Sequence, residues 1–125
     1  MRVVLLLFLG LLTVQGGCAS RWVFVTGSET TEFYLDTQAG IRISESSWEV
    51  RERFLDKATD RWYLEAEVRY DCTERTFMTL RTREFSEHRP RSFASTIEGN
   101  RPVEVQPGSQ EEARLEAVCA LFEGG

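Results

Sequence analysis

The stretch WYLEAEVRYDC, residues 62–72, decides the fold. Apolar side chains stand at every even position, and from Glu65 onward charged side chains stand at the odd positions. Alternation with a period of two is typical of a β-strand with one face in a core and the other in water. We therefore predict a half-buried antiparallel strand over residues 62–72, with its even-numbered side chains facing the core.

The same period extends to both sides of this stretch. Trp48, Val50 and Phe54 alternate with charged neighbours Glu49, Arg51 and Arg53. Further strand candidates are Trp22–Val25, Glu32–Thr37, Ile41–Ser44, Arg75–Ser86 and, as an added edge strand, Arg91–Ile97. The pattern predicts an antiparallel sheet of about six strands over residues 22–106.

The end of the chain follows a helical period. Ser109 with Glu112 three residues later is typical of a helix N-terminus, and Gly124 and Gly125 can end a helix. The apolar stripe of this segment is Leu115, Val118, Cys119 and Phe122. We predict one helix over about residues 109–122, packed on the apolar face of the sheet, and hence an α+β fold.

The first 17 residues have the order of a signal peptide. Met1-Arg2 gives a positive start, and residues 3–14 are uncharged and apolar. Twelve helical residues rise about 18 Å, against about 30 Å of hydrocarbon in a bilayer, so the segment is short for a membrane span. We expect a single domain over residues 18–125, whose 14 Lys+Arg against 20 Asp+Glu give a net charge of −6.

Two processing routes fit the end of this leader. An ordinary signal peptidase could cut after Ala19, which would give a soluble periplasmic or secreted protein. The run Gly16-Gly17-Cys18-Ala19-Ser20 also resembles the lipobox of bacterial lipoproteins, although Gln15 departs from that pattern. We favour the lipobox, with lipid attached at Cys18 and the protein held on the membrane by that lipid.

The cysteine count supports the same choice. Three cysteines in an exported protein leave an odd thiol, and modification of Cys18 leaves Cys72 and Cys119 as a pair. Cys72 lies on the apolar face of its strand and Cys119 on the apolar stripe of the helix. A disulfide between them would tether the helix to the sheet, and two separate buried thiols are the alternative.

Charge sets the expected register of the hairpin after Cys72. A two-residue turn would place Arg81 and Arg83 on the buried face, where an unpaired charge is costly. We therefore predict a three-residue turn over residues 73–75, with apolar pairs inside and opposite charges paired outside. The predicted pairs are Tyr70 with Met78, Val68 with Leu80, Glu67 with Arg81 and Glu65 with Arg83.

No residue pattern indicates catalysis, a metal site or a cofactor. His88 has no His or Cys at ligand spacing, helix capping accounts for Ser109, and Asp36 and Asp71 are typical of the wet side of a sheet. Phosphate loops and dinucleotide fingerprints are absent from the sequence. The acidic charge also argues against a nucleic-acid partner, whose binding surface would be basic.

A group of closely spaced arginines is the one surface feature of the sequence that suggests a binding site. The chain has a single lysine, Lys57, and its closely spaced arginines are Arg75, Arg81, Arg83, Arg89 and Arg91. Such a group could bind carboxylates or sulfated sugars. The strand pairing does not use Arg89 and Arg91, which makes them the candidate partner-binding residues. The alternative is that neighbouring glutamates neutralise the whole group.

Several motifs together resemble the bacterial surface-adhesin protein E-like family. They are Trp22, Phe33-Tyr34-Leu35-Asp36 followed by Ile41-Arg42, Trp48, Tyr70-Asp71-Cys72, and Val105-Gln106-Pro107-Gly108-Ser109 leading to Cys119. The resemblance spans nearly the whole mature chain. It implies a sheet with a disulfide-tethered C-terminal helix on an outer-membrane lipoprotein, and a non-enzymatic adhesin that contacts a host matrix protein or glycan.

A second hypothesis places the protein in the periplasm, as a lysozyme-inhibitor-like or envelope-maintenance lipoprotein. Exposure on intact cells would distinguish the two, because an adhesin must be accessible from outside. The sequence also leaves room for a homodimer.

Overall fold

A computed structural model describes residues 21–95 and 101–124. The leader predicted over residues 1–17, the anchor at Cys18 and positions 96 and 97 of the added edge strand lie outside the described residues. The strands are β1 (Trp22–Gly27), β2 (Thr31–Asp36), β3 (Ile41–Arg42), β4 (Ser47–Asp56), β5 (Arg61–Asp71), β6 (Thr76–Ser86), β7 (Arg89–Pro90), β8 (Ala94–Ser95) and β9 (Val103–Glu104). They are followed by helix α1 (Gln110–Val118) and a π-helical turn (Cys119–Glu123).

The strands pair antiparallel in the order β1-β2-β4-β5-β6-β7, with β3 on β4 and both β8 and β9 on β6. Among the described residues, five strands have six or more residues and four have two. The predicted antiparallel sheet and C-terminal helix are confirmed. Strand β3 has two residues where a strand over Ile41–Ser44 is predicted, and in the described part of the strand predicted at Arg91–Ile97 only Ala94–Ser95 forms a strand. No helix in the described ranges has the length and hydropathy of a membrane span.

The buried cluster lies on the even face of β5. Its members are Leu35, Val50, Ala66, Val68, Tyr70, Val105, Leu115 and Val118. Val68, Tyr70, Leu115 and Val118 have no exposed surface, and the last two belong to α1. The even positions of the strand and the apolar stripe of the helix therefore supply one common core, and each fully buried aliphatic side chain contributes about 1.5–3 kcal/mol.

The start of α1 is capped as the sequence predicts. The Ser109 hydroxyl accepts a hydrogen bond from the Glu112 backbone N–H at 3.2 Å. The Glu112 carboxylate accepts one in return from the Gly108 N–H at 3.0 Å. Gly108 has a φ of 77°, a left-handed conformation that glycine adopts without a steric penalty. The cap therefore fixes where the chain leaves β9 and enters the helix.

The other end of α1 is attached to the sheet by covalent and aromatic contacts. Cys72 and Cys119 form a disulfide with a Cα–Cα distance of 5.9 Å, as predicted. Phe122 stacks on Trp48 with ring centroids 5.4 Å apart. Gly40 lies against the same ring, where an added Cβ would come within 2.2 Å of a Phe122 carbon. A side chain at position 40 would therefore displace Phe122 from its place on Trp48.

The predicted register of the β5–β6 hairpin is half right. The outer pairs of Glu65 with Arg83 and Glu67 with Arg81 are confirmed. The inner pairs are wrong by one residue, because Tyr70 pairs with Phe77 instead of Met78 and Val68 pairs with Thr79 instead of Leu80. A β-bulge between Glu67 and Val68 shifts the register.

The bulge reconciles two requirements that a uniform register could not meet. Near the turn, Asp71 pairs with Thr76, so residues 72–75 connect the strands and Arg75 takes a left-handed φ of 56°. Beyond the bulge, the register moves by one residue, which returns Arg81 to the outer face. The turn is therefore neither the two-residue turn that charge excluded nor the three-residue turn predicted in its place.

The prediction that Trp62 faces the core with the other even residues is wrong. The β4–β5 register shifts between Phe54 and Leu55, so that Leu64 pairs with Phe54 but Trp62 pairs with Leu55. The Trp62 ring instead lies 4.9 Å from the ring of Tyr34, on the odd face of the sheet. One inserted residue reverses the orientation of every side chain beyond it.

Replacing Cys119 by alanine should lower the free energy of unfolding by about 2–5 kcal/mol, the usual effect of losing a native disulfide in a small exported domain. The disulfide closes a segment of 47 positions, so its loss frees a long stretch of the unfolded chain. Chemical denaturation monitored by tryptophan fluorescence would measure the change. Cys72→Ala should give the same loss, and wild-type stability in either variant would contradict a structural role for the bond.

Candidate binding surface

Charged side chains form two rows across β4, β5 and β6 on the odd face of the sheet. In each row a glutamate of β5 lies between one arginine of β4 and one of β6. The rows are Arg51–Glu67–Arg81 and Arg53–Glu65–Arg83, and we call these six residues the arginine ladder. A further pair, Glu49 with Arg69 at 2.7 Å, continues the pattern between β4 and β5.

The first row is held mainly from β6. Arg81 donates through Nε and Nη2 to the two carboxylate oxygens of Glu67, both at 2.8 Å. Arg51 lies farther off, with its Nε 3.6 Å from Glu67 Oε2. The hydrogen bond from Arg81 holds the pKa of the Glu67 carboxyl below its ordinary value, although partial burial opposes the shift, and it raises the pKa of Arg81. Both groups are therefore charged at neutral pH.

The second row is built around a buried carboxylate. Glu65 has no exposed surface, although its odd position predicts a place in water. Arg53 Nε and Arg83 Nη2 each lie 2.7 Å from one of its oxygens. Aromatic side chains contact the arginines of this row. The Arg53 guanidinium lies 4.3 Å from the Trp22 ring, and the Arg83 guanidinium lies 4.4 Å from the Phe93 ring.

The ladder presents positive charge to solvent. Its two carboxylate side chains are 1% and 18% exposed, whereas the four arginine side chains are 21–43% exposed. Four guanidiniums against two carboxylates leave a surplus of two positive charges. This surplus stands on a chain whose formal net charge is −5. One face of the sheet therefore carries a local positive charge, although the protein as a whole is negatively charged.

The arginines grouped by sequence separate into three places. Arg81 and Arg83 belong to the ladder. Arg75 contacts the helix, with its Nη2 3.0 Å from Glu112. Arg89 and Arg91 are exposed at the hairpin that follows β6. The structure therefore does not assemble the five residues into one patch, and the role of Arg89 and Arg91 in partner binding stays a prediction.

The ladder members missed by the sequence analysis are Arg51 and Arg53. A usable signal existed, since both occupy odd positions in a strand next to β5. Pairing β4 with β5 so that Val50 faces Val68 also sets these arginines opposite Glu67 and Glu65. The predicted register pairs the glutamates with β6 alone, whereas β4 supplies the second arginine of each row.

The other residues considered for catalysis or metal binding are Asp36, Asp71 and His88. The two aspartates bond to structural partners, and His88 lies in an exposed turn. Asp36 is fully buried and lies 2.7 Å from Arg21. Asp71 accepts hydrogen bonds from Ser46, from Ser47 and from turn N–H groups. His88 is exposed in the turn after β6, with a left-handed φ of 70°. The structure does not combine these groups into a catalytic arrangement within the described ranges.

Potential metal ligands converge at one place among residues 21–95 and 101–124. The group is Cys72, Cys119 and Glu123, whose ligand atoms lie within 4.8 Å of one another. Both sulfurs are joined in the disulfide and so are not available as thiolates. This group therefore offers a metal ion only one ordinary ligand.

A second arginine–glutamate contact is buried on the helix side of the sheet. Arg114 Nη2 lies 2.6 Å from Glu52 Oε1, and Arg114 Nε donates to the Tyr70 hydroxyl at 3.1 Å. The Tyr70 hydroxyl in turn donates to Glu52 Oε2. Burial and the Glu52 carboxylate raise the pKa of Tyr70 well above its ordinary value. Burial opposes the charge on Arg114, but Glu52 outweighs it and raises the Arg114 pKa.

Replacing Arg114 by methionine should destabilise the protein by about 3–5 kcal/mol at pH 7, because Glu52 would stay buried without its cation. Urea titration at pH 7 would measure the effect. The double variant Glu52→Met/Arg114→Met should lose less than the single one, and an equal or larger loss would contradict this account.

A comparison with models of known protein families gives the family of the chain. A family model described as surface-adhesin protein E matches residues 22–120. The chain belongs to the surface-adhesin protein E family. The family predicted from the sequence motifs is thereby confirmed, and membership supports an adhesin-like surface protein.

A solved structure shares the fold of this family member. It is Haemophilus influenzae protein E, with a TM-score of 0.63 over 86% of this chain and 90% of that chain. The two sequences are 12% identical, so the likeness concerns the fold alone. Among curated proteins, none matches the sequence.

Proposed function

We propose that the mature chain is a non-enzymatic, lipid-anchored binding module of the outer membrane that contacts a host matrix protein or glycan. The observation that carries the proposal is the arginine ladder, in which carboxylates lie beneath and guanidiniums lie at the surface. Arginine forms bidentate contacts with carboxylates and sulfates, which suits a surface that recognises partners. Membership in the adhesin family supports the same function.

The anchor is proposed at Cys18. Strand β1 begins at Trp22, only four residues later, so a lipid at Cys18 would hold the edge of the sheet close to the membrane surface. Modification of this cysteine also leaves no odd thiol, because Cys72 and Cys119 are joined. A homodimer stays a prediction that equilibrium sedimentation of the purified chain would check.

Mass spectrometry of the mature N-terminus tests the anchor. We expect a first residue of Cys18 that carries a diacylglyceryl group, with the peptide shifting to lower mass after base treatment removes the ester-linked acyl chains. Cys18→Ser should abolish acylation and release the protein from the membrane fraction. A wild-type product that begins at Ser20 would contradict the lipid anchor and support ordinary signal-peptide cleavage.

Protease treatment of intact cells tests surface display. An antibody to the mature domain should detect loss of the protein from intact cells, while a periplasmic marker protein stays whole. Permeabilised cells provide the control, because there both proteins should be degraded. Protection in intact cells combined with inhibition of lysozyme in a clearing assay would overturn the proposal and favour the periplasmic inhibitor.

A further inference from the structure

We propose that the arginine ladder binds an anionic polysaccharide, a sugar chain that bears sulfate or carboxylate groups. The inference rests on the proposed binding function and gives the chemical class of its partner.

The charges of the ladder favour an anion with several groups. Glu65 and Glu67 each lie between two arginines, so neither carboxylate neutralises both of its neighbours. Arg81 is the most exposed ladder arginine at 43%, followed by Arg51 at 39%. These two side chains flank the same carboxylate, which makes the Arg51–Glu67–Arg81 row the most accessible part of the surplus charge.

The spacing of the ladder is repetitive. Neighbouring strands lie about 4.8 Å apart and alternate residues of one strand about 7 Å apart, so the four arginine Cα positions form a rectangle of about 10 by 7 Å. A single small anion could not reach all four corners. A polymer that carries one charge every few ångströms could contact several of them together.

A cleft adjoins the first row and offers room for one anionic group. Its volume is about 160 Å³, and Arg51, Arg81 and the 60%-exposed side chain of Ile41 are part of its lining. Glu49 and Glu67 also line it, but each is engaged by an arginine, Arg69 and Arg81 respectively. The lining therefore combines two guanidiniums with an apolar wall, a combination suited to a charged sugar ring.

Aromatic stacking holds the guanidiniums in place before a ligand arrives. The Phe93 ring lies 4.1 Å from the Arg81 guanidinium and 4.4 Å from that of Arg83. Arg53 is held similarly, 4.3 Å from Trp22 and 5.1 Å from Phe85. Side chains ordered in the free protein lose less conformational freedom on binding.

The location of the ladder argues for a sugar chain over an extended peptide. Peptides that bind sheets usually add a strand at an edge, through main-chain hydrogen bonds. The ladder lies on the face of β4, β5 and β6, and β5 is paired on both sides. Part of the outer edge of β6 is paired with β8 and β9. The surface therefore offers side-chain contacts, which an anionic polysaccharide can use without pairing a backbone.

Heparin binding by the full chain, extracted in non-ionic detergent, tests the inference. Wild-type protein should bind immobilised heparin, and added salt should weaken the binding because exposed charge contacts are screened. The double variant Arg51→Gln/Arg81→Gln should bind about tenfold more weakly, the effect of losing about 1.4 kcal/mol. The single variant Arg51→Gln should show a smaller loss in the same direction, and it leaves the hydrogen bonds between Arg81 and Glu67 intact.

The matched control is Arg42→Gln/Arg61→Gln, which removes the same charge from two exposed arginines outside the ladder. Its affinity should stay within about twofold of wild type, as expected for charges that make no direct contact. Thermal unfolding of every variant shows whether the fold is retained. The pair Arg89→Gln/Arg91→Gln tests the hairpin arginines in the same assay.

Four results of the direct heparin-binding measurements would overturn the inference. They are no heparin binding by folded wild-type protein, equal binding by wild type and the folded Arg51 single variant, an equal loss in the Arg42/Arg61 control, and a loss confined to the Arg89/Arg91 variant. Competition by polyglutamate as strong as that by heparin at equal charge would also overturn it, in favour of an acidic polypeptide. Surface display is measured separately by protease treatment. A protein that is displayed on the cell surface but does not bind heparin would therefore refute polysaccharide binding and leave the proposed function standing.

Discussion

The contact between Glu52 and Arg114 is the constraint on which the arrangement of helix and sheet depends. Glu52 stands in β4 between Val50 and Phe54, at a position that points a carboxylate into the core. A buried carboxylate without a cation costs several kcal/mol, so the fold must bring one to it. Arg114 of α1 does so with hydrogen bonds to both Glu52 oxygens, and this geometry admits one placement of the helix along the strand. The hydrophobic contacts of Leu115 and the disulfide at Cys119 agree with that placement.

Arginine has different roles on the two faces of the sheet. On the helix face, Arg114 neutralises a carboxylate and lies against the Phe33 and Phe54 rings, 5.2 and 5.6 Å away, so nearly all of its charge is withdrawn from solvent. On the odd face, arginines outnumber the carboxylates they contact. Similar guanidinium–carboxylate–aromatic clusters thus give a fixed internal contact in one place and an accessible surface in the other. The difference lies in stoichiometry and exposure, since the residue types are nearly the same.

Much of the fold follows from local patterns in the sequence. Alternation in β5, the capped start of α1 and the cysteine pair each depend on nearby residues or on a simple count, and the structure contains all three. The exceptions arise from inserted residues. The bulge beside Val68 shifts the register of β6 against β5, and the register shift beside Leu55 reverses the face expected for Trp62. Such shifts depend on how three strands fit together, which alternation within one strand does not encode.

The candidate site was harder to predict because it depends on pairing across the sheet. Sequence proximity suggested one patch that included Arg75, but a turn directs that residue to the helix. Strand order instead brings Arg51 and Arg53 beside β5 from the other side. The buried Glu52 had a signal, since a charge interrupts the apolar series of β4. Its partner Arg114, more than 60 residues away, lies next to the apolar stripe and could be identified only from the packing.

The disulfide also affects how the protein would survive in a proteolytic environment. It joins Cys72 to Cys119, and the chain between them contains β6, the short strands β7 to β9 and α1. A single cut at any peptide bond in this interval leaves two pieces that are still covalently linked. The helix then stays attached beside its binding place in the sheet, at a high effective concentration. A nicked molecule can consequently keep its architecture, and gel electrophoresis would reveal the damage only after reduction.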